Sequence, residues 1–239
     1  MYALNSRDNL VSQAPIAVAV ATAVKPEPVL VELSEPSEID VGGSELFWAA
    51  KRAFDIAMAV ILFPFMLAIA AILFFVNPLL NRGHVFYTQT RMGRDGQPFR
   101  IVKFRTMLPA SKDATIAFAS AEKDRITRLG ALLRKFRIDE LPQIVNVLIG
   151  KMSFVGPRPE QVAFVQTFNQ TIPGYHFRHA VRPGISGLAQ VLNGYADCGE
   201  STRLKLARDL EYIRDAGWAM ETKVVMRTLY VVVTGYGAQ

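Results

Sequence analysis

The side chains best suited to chemistry are a pair of adjacent carboxylates, Asp139 and Glu140, set in a strongly basic stretch. Pro142 follows them, and Leu141, Ile144, Val145 and Leu148 recur at helical spacing, so the pair is expected at a helix N-terminus. Amide groups and the helix dipole there favour ionised carboxylates, and Arg134 and Arg137 push the same way. Such pairs are more often helix caps than catalytic groups, so the neighbours matter. Arg158 lies between Pro157 and Pro159, where two fixed φ angles present one guanidinium from a stiff loop suited to an anion or a planar ring. Arg100, Lys103 and Arg105 recur along FRIVKFR and are expected on one cationic strand face. His176 and His179 share helical spacing but have no evident third ligand, and they read as ordinary surface histidines. Cys198 is the single cysteine, which excludes an internal disulfide.

These groups need a scaffold. Alternation over 84–91 and 98–105, joined through Asp95-Gly96, predicts a hairpin. Residues 107–125 read as a polar helical excursion. From 125 to 137, Leu129, Leu132, Leu133 and Phe136 share one face of a basic amphipathic helix, suited either to a membrane surface or to a core. A second rigid basic loop covers 176–190, with Arg178, Arg182, Pro183 and Gly184. An exposed amphipathic helix is expected over 201–215, and a shorter apolar patch ends the sequence.

Residues 56–76 contain no charged residue and are long enough to cross a bilayer core. Both flanks are basic, with Lys51 and Arg52 before the run and Arg82, Arg91 and Arg94 after it. A spanning helix concentrates such residues on the cytoplasmic side. Pro64 in the first half favours a kink, and Asn77-Pro78 reads as the helix stop. A plain spanning helix and one that returns to the same face both fit these observations.

Hydrophobic residues make up 51% of the 239, and the net charge is +6. Residues 1–45 carry two basic and seven acidic side chains, a net −5, which leaves +11 on the remainder. The acidic stretch reads as a disordered tail without a cleaved signal. The basic remainder suits membrane head groups, nucleic acid or phosphorylated substrates.

Taken in order, KRAFDI, FYTQTRMGRDGQPFRIVKFRTM, RITRLGALLRKFRIDELPQIVNVLIGKMSFVGPRPE and VRPGISGLAQV resemble the bacterial sugar transferases, the monotopic polyprenyl-phosphate phosphoglycosyl transferases. The resemblance covers roughly residues 49–235. It implies an α/β fold, mostly helical with a small β-hairpin, in a monotopic membrane protein with a re-entrant helix-break-helix and amphipathic interfacial helices. It divides the chain into a tail (1–45), a re-entrant membrane element broken at Pro64 (46–80) and a cytoplasmic catalytic domain (81–239). The implied location is the cytoplasmic face of a bacterial inner membrane.

The implied reaction moves a sugar 1-phosphate from a UDP-sugar to undecaprenyl phosphate and releases UMP, initiating exopolysaccharide, capsule or related glycoconjugate synthesis. By the resemblance Asp139 is the nucleophile and a ligand of Mg²⁺, and Glu140 positions metal or handles a proton. Lys103, Arg105, Arg134 and Arg158 supply charge, and Pro157, Arg158 and Pro159 form a nucleotide-binding element. Membrane lipids are implied partners, nucleic acid is not, and a homo-oligomer is compatible with the sequence. A membrane-tethered nucleic-acid-binding protein or scaffold is the alternative, although no nucleic-acid motif supports it.

Overall fold

The computed structural model describes residues 39–81, 84–108, 125–193 and 199–234. The tail, most of the excursion after the hairpin, and Cys198 lie outside the described residues. Ser44 starts the first helix, its Oγ accepting from the Phe47 N–H at 3.1 Å. Helix α1 then runs Glu45–Leu80 over 36 residues. It is the one described helix long and apolar enough to cross a membrane, with a mean hydropathy of 2.9 over an 18-residue window. It stays helical through Pro64 and Pro78, so the backbone has no break at Pro64, where one is expected from sequence, and the stop expected at Asn77-Pro78 comes instead at Leu80. The Asn77 carbonyl accepts from the Asn81 N–H at 2.8 Å, which closes the last turn despite the proline.

Both ends of α1 are bonded to the same folded body. Near the start, Lys51 pairs with Glu221 at 2.7 Å. Arg52 donates to the Val147 and Leu148 carbonyls, and Asp55 accepts from the Phe154 N–H. At the far end, Asn81 donates to the Arg105 carbonyl at 2.6 Å and accepts from Thr127. Ala59, Met66 and Leu73 bury one stripe into a core with Ile101, Phe104, Leu133, Ile144 and Val147. On the other side Val60, Ile61, Phe65, Ile72, Phe74 and Phe75 are exposed.

Strands β1 (Phe86–Met92) and β2 (Pro98–Phe104) pair antiparallel. Asp95 and Gly96 both take positive φ, 55° and 68°, in the connection between them. The hairpin has no single cationic face. Lys103 shares the strand parity of Phe99 and Ile101, both buried, whereas Arg100 points to the other side and is exposed. Buried Asn146 fixes β2 through both amide groups, donating to the Arg100 carbonyl and accepting from the Val102 N–H.

Helix α2 (Arg128–Lys135) is capped by Thr127. Its expected apolar face is divided. Leu133 is buried and Leu129 packs beside it, while Leu132 and Phe136 are exposed. The helix ends before Phe136 can share its inner face. A 3-10 turn, Ile138–Gln143, leads into α3 (Ile144–Leu148). Strand β3 (Ser153–Val155) pairs parallel with β4 (Gly184–Ser186), with α4 (Val162–Thr171) between them. Helices α5 (Leu188–Asn193), α6 (Gly199–Arg214) and α7 (Trp218–Thr234) complete the described chain. The helix expected to be exposed over 201–215 instead buries Leu206, Asp209, Tyr212 and Ile213 on one stripe. Val225, Met226, Leu229, Tyr230 and Val233 of α7 are exposed, the terminal apolar patch expected from sequence.

Gly184 shows how tightly the second strand pair is built. A Cβ there would overlap the Gly156 backbone N and the Ser186 and Gly156 carbonyls, and the Gly184 N–H holds the Pro157 carbonyl at 3.0 Å. Gly184→Ala is therefore expected to destabilise by about 2–3 kcal/mol through overpacking. Thermal unfolding of the detergent-solubilised protein checks this.

Candidate active site

The 3-10 turn that holds both carboxylates begins at Arg137, whose left-handed φ of 57° ends the run of α2. Asp139 and Glu140 occupy its first turn and are both buried. Glu140 Oε1 accepts from Lys103 Nζ at 3.0 Å and from Arg158 Nη2 at 2.8 Å. One oxygen thus joins β2, the 3-10 turn and the Pro157-Arg158-Pro159 loop. Burial alone would raise the Glu140 carboxyl, but Arg158 and Lys103 overcome it and hold the group well below the usual carboxylate range.

Asp139 behaves differently. Among the described residues no hydrogen bond or ion pair holds its carboxylate, while Lys103, Arg134 and Arg158 act on it through space. Burial, followed by the charge of Glu140, raises it above its ordinary value despite these cations. Both carboxylates were expected to be pushed toward the ionised form; Glu140 is, through Arg158 and Lys103, whereas Asp139 is shifted in the opposite direction. The terminus here is a 3-10 turn, and burial outweighs its amide groups.

The predicted cations separate on inspection. Lys103 and Arg158 touch Glu140. Arg134 stands nearby with Nε bonded to Thr106 Oγ1 at 2.9 Å. Arg105 is not among the cations acting most strongly on either carboxylate; its Nε donates to the His84 carbonyl at 3.0 Å. Pro157 and Pro159 are buried, so the loop exposes Arg158 and little else.

The loop is held by two arginines that the sequence reading left outside the site. Arg91 donates to the Pro159 carbonyl at 3.3 Å and pairs with Glu160 at 3.8 Å. Arg178 donates to the Arg158 carbonyl at 2.9 Å and is itself clamped by Asp209 at 2.6 Å and the Tyr175 hydroxyl at 2.7 Å. Burial would lower Arg178, but Asp209 and Tyr175 more than reverse it, so the guanidinium stays charged. The signal available in sequence was Glu160 directly after the proline loop; nothing local marks Asp209 as the partner of Arg178. His179 also departs from expectation. It is half-buried, and burial with Arg178 lowers it to about 4, so of the two only His176 is a surface histidine.

No group of three or more metal-ligating His, Cys, Asp or Glu side chains exists among the described residues. The donor set is the Asp139 carboxylate, because Glu140 is occupied by two cations. One carboxylate completed by substrate phosphate oxygens is an ordinary environment for Mg²⁺, so the residues present fit that ion.

The family description "bacterial sugar transferase" matches residues 46–235. The chain belongs to this family. It is 44% identical over 200 residues, 82% of its length, to the UDP-N-acetylgalactosamine-undecaprenyl-phosphate N-acetylgalactosaminephosphotransferase of Aeromonas hydrophila, of which it covers 46%. It is 38% identical over 186 residues to the UDP-glucose:undecaprenyl-phosphate glucose-1-phosphate transferase of Caulobacter vibrioides, covering 77% of this chain and 70% of that one. It is 37% identical over 194 residues to the exopolysaccharide production protein PSS of Rhizobium leguminosarum bv. phaseoli, covering 77% and 95%. This transferase-family chain thus spans under half of the Aeromonas relative and nearly all of the Rhizobium one.

The two carboxylates are expected to affect stability in opposite directions. A carboxyl lowered on folding stabilises above its unfolded value, and one raised on folding destabilises there. At about pH 7, Glu140→Gln should cost about 3 kcal/mol by stranding Lys103 and Arg158. Asp139→Asn should leave the melting temperature unchanged or raise it. The Glu140→Gln deficit should shrink as pH falls below the unfolded value of 4.5. Melts of the three proteins across pH test all three statements.

Proposed function

We propose that the chain is a phosphoglycosyl transferase that moves a sugar 1-phosphate from a UDP-sugar to undecaprenyl phosphate. The observation that carries this reading is the division of labour between adjacent carboxylates. Glu140 binds and orders two cations, while Asp139 stands among the same cations with no hydrogen-bond or ion-pair partner among the described residues. A diphosphate repels anionic nucleophiles, so its cleavage needs fixed positive charge and a nucleophile held in place. Lys103, Arg134 and Arg158 supply that charge.

In the first step an Asp139 oxygen attacks the phosphorus that bears the sugar. The bond from that phosphorus to the oxygen bridging the two phosphates breaks, and its electron pair leaves with UMP. The sugar phosphate remains on Asp139 as an acyl phosphate. An oxygen of undecaprenyl phosphate then attacks the same phosphorus and restores the carboxylate. The basicity that burial gives Asp139 strengthens it as a nucleophile. Mg²⁺ bound by Asp139 and the phosphate oxygens would neutralise further diphosphate charge. Arg91 and Arg178 position Arg158 by fixing the Pro159 carbonyl and the carbonyl of Arg158 itself.

The membrane element supports the same reading. Both ends of α1 are bonded to one body, and its outer side exposes large apolar residues. A spanning helix would leave those ends on opposite faces of the bilayer, with the one body bonded to both. Re-entry by a bend at Pro64, within a helix that is continuous through it, would keep the site at head-group level, and the exposed apolar residues of α7, Leu132 and Phe136 would add lipid contacts. There a lipid phosphate and a cytoplasmic nucleotide sugar can both reach Asp139. We assign the protein to the cytoplasmic face of a bacterial inner membrane and to the start of exopolysaccharide or related glycoconjugate synthesis.

Purified protein with undecaprenyl phosphate and Mg²⁺ is expected to release UMP from a UDP-sugar. UDP-N-acetylgalactosamine and UDP-glucose are the first donors to test, since relatives are named for both. Asp139→Asn should abolish release, and Arg158→Gln should lower kcat/KM by at least about a hundredfold. The acid limb of the pH profile should lie above the ordinary aspartate value of 3.8, because Asp139 is raised. Wild-type activity in Asp139→Asn would refute the covalent route.

Topology has its own test. With Cys198→Ser as background, single cysteines replacing Glu45 and Val85 should react with an impermeant reagent from the same side of sealed vesicles. Labelling from opposite sides would rule out re-entry.

A further inference from the structure

Away from the carboxylate pair, an open cavity lies between the start of α1, the hairpin tip and the segment before β4. Lys51, Arg52, Asp55, Arg94, Ser153 and Arg182 line it. It shares no residue with the Asp139–Glu140 site. Four of these six side chains are cationic and one is acidic. Lys51 is offset by Glu221, and Asp55 accepts the Phe154 N–H. Arg94 reaches the cavity from the hairpin tip, where its Nε bonds Asp95 at 2.9 Å.

Arg52 and Arg182 converge on one turn. Arg182 Nε donates to the Gly150 carbonyl at 3.0 Å, and Arg52 Nη2 lies 3.5 Å from the position a Cβ on Gly150 would take. Burial, then Arg94 and Arg52, push the Arg182 guanidinium below its ordinary value, so three guanidinium groups repel one another across this space. Like charges held together in this way are relieved by an anion between them.

Ser153 gives the independent sign of a ligand. It is 2% exposed, it lines the cavity, and its hydroxyl has no hydrogen-bond partner among the described residues. Its backbone N–H is already committed, donating to the Pro183 carbonyl in the strand pair. A buried hydroxyl without a partner costs free energy and calls for an acceptor or donor at that point. A phosphate oxygen provides one, together with the negative charge that the arginines require.

We propose that this cavity is a second phosphate-binding site, formed by Arg52, Arg94, Arg182 and the Ser153 hydroxyl. The phosphate could come from an anionic lipid head group, since Trp48 and the apolar helix adjoin the cavity, or from a soluble phosphate. The proposal does not rest on the transfer reaction proposed above.

The test uses the full chain in lipid nanodiscs at fixed ionic strength, read by melting temperature. One arm titrates inorganic phosphate against chloride in phosphatidylcholine discs. The other replaces phosphatidylcholine with phosphatidylglycerol and omits phosphate. Each arm compares wild type with Ser153→Ala and with the double variant Arg94→Gln, Arg182→Gln. A ligand that binds only the folded state raises the melting temperature.

The expected result is a rise for wild type in at least one arm, which identifies the source. The double variant should lose the rise. Ser153→Ala should need about tenfold more phosphate to match it, while starting no less stable than wild type because it removes an unpartnered hydroxyl. Ser153→Ala carries the test if the double variant fails to fold. No rise for wild type in either arm, or an equal rise in both variants, would overturn the proposal; the latter would place the bound phosphate at the Asp139–Glu140 site.

Discussion

One carboxylate oxygen organises this protein. Glu140 Oε1 receives Lys103 from a strand and Arg158 from a loop, which ties those two segments to the turn between them. Two cations brought this close need an anion between them, and two cations beside a buried anion can still face a further one. The contact that fixes the shape of the proposed site also leaves it suited to a negative ligand. Arg178 and Arg91 extend the control outward, since each grips a carbonyl of the loop that carries Arg158.

The adjacent carboxylate shows how function and stability diverge. Glu140 gains from folding; Asp139 loses, because burial costs it more than the cations return. A chain selected for stability alone would have little use for a raised, unpartnered aspartate in the first turn of a 3-10 segment. Its presence beside a satisfied twin is a physical argument for a reactive role, independent of likeness to other proteins.

Much of this arrangement was legible in the sequence. Asp95-Gly96 announced the hairpin, the acidic pair stood out in its basic stretch, and the proline loop pointed to Arg158. What stayed hidden was set by tertiary contact. Lys103 and Arg100 look equivalent as letters, yet strand parity and the grip of Asn146 on β2 send one inward and the other to solvent. Arg178 reads as one more basic loop residue because its partner Asp209 lies 31 positions away. Local helix-end reasoning shifted both carboxylates downward, and it gave the wrong direction for Asp139 because burial acts over the whole site rather than along one turn. Pro78 and the exposed-helix expectation for 201–215 failed for the same kind of reason: neighbours closed the backbone in one case and covered the stripe in the other.

The pairing of Lys51 with Glu221 has a consequence for synthesis. The two residues are separated by 170 positions. At ordinary translation speeds the ribosome needs roughly 10–30 s to cover that distance. During this interval α1 is already available to the bilayer, while Lys51 has no counter-charge and Arg52 and Asp55 lack the carbonyls and amide they will later bind. Charges without partners stay hydrated, which holds the start of the helix at the water boundary while the apolar stretch beyond it enters lipid. The order in which the chain is made thus biases the helix toward its final placement before the body that fastens it exists.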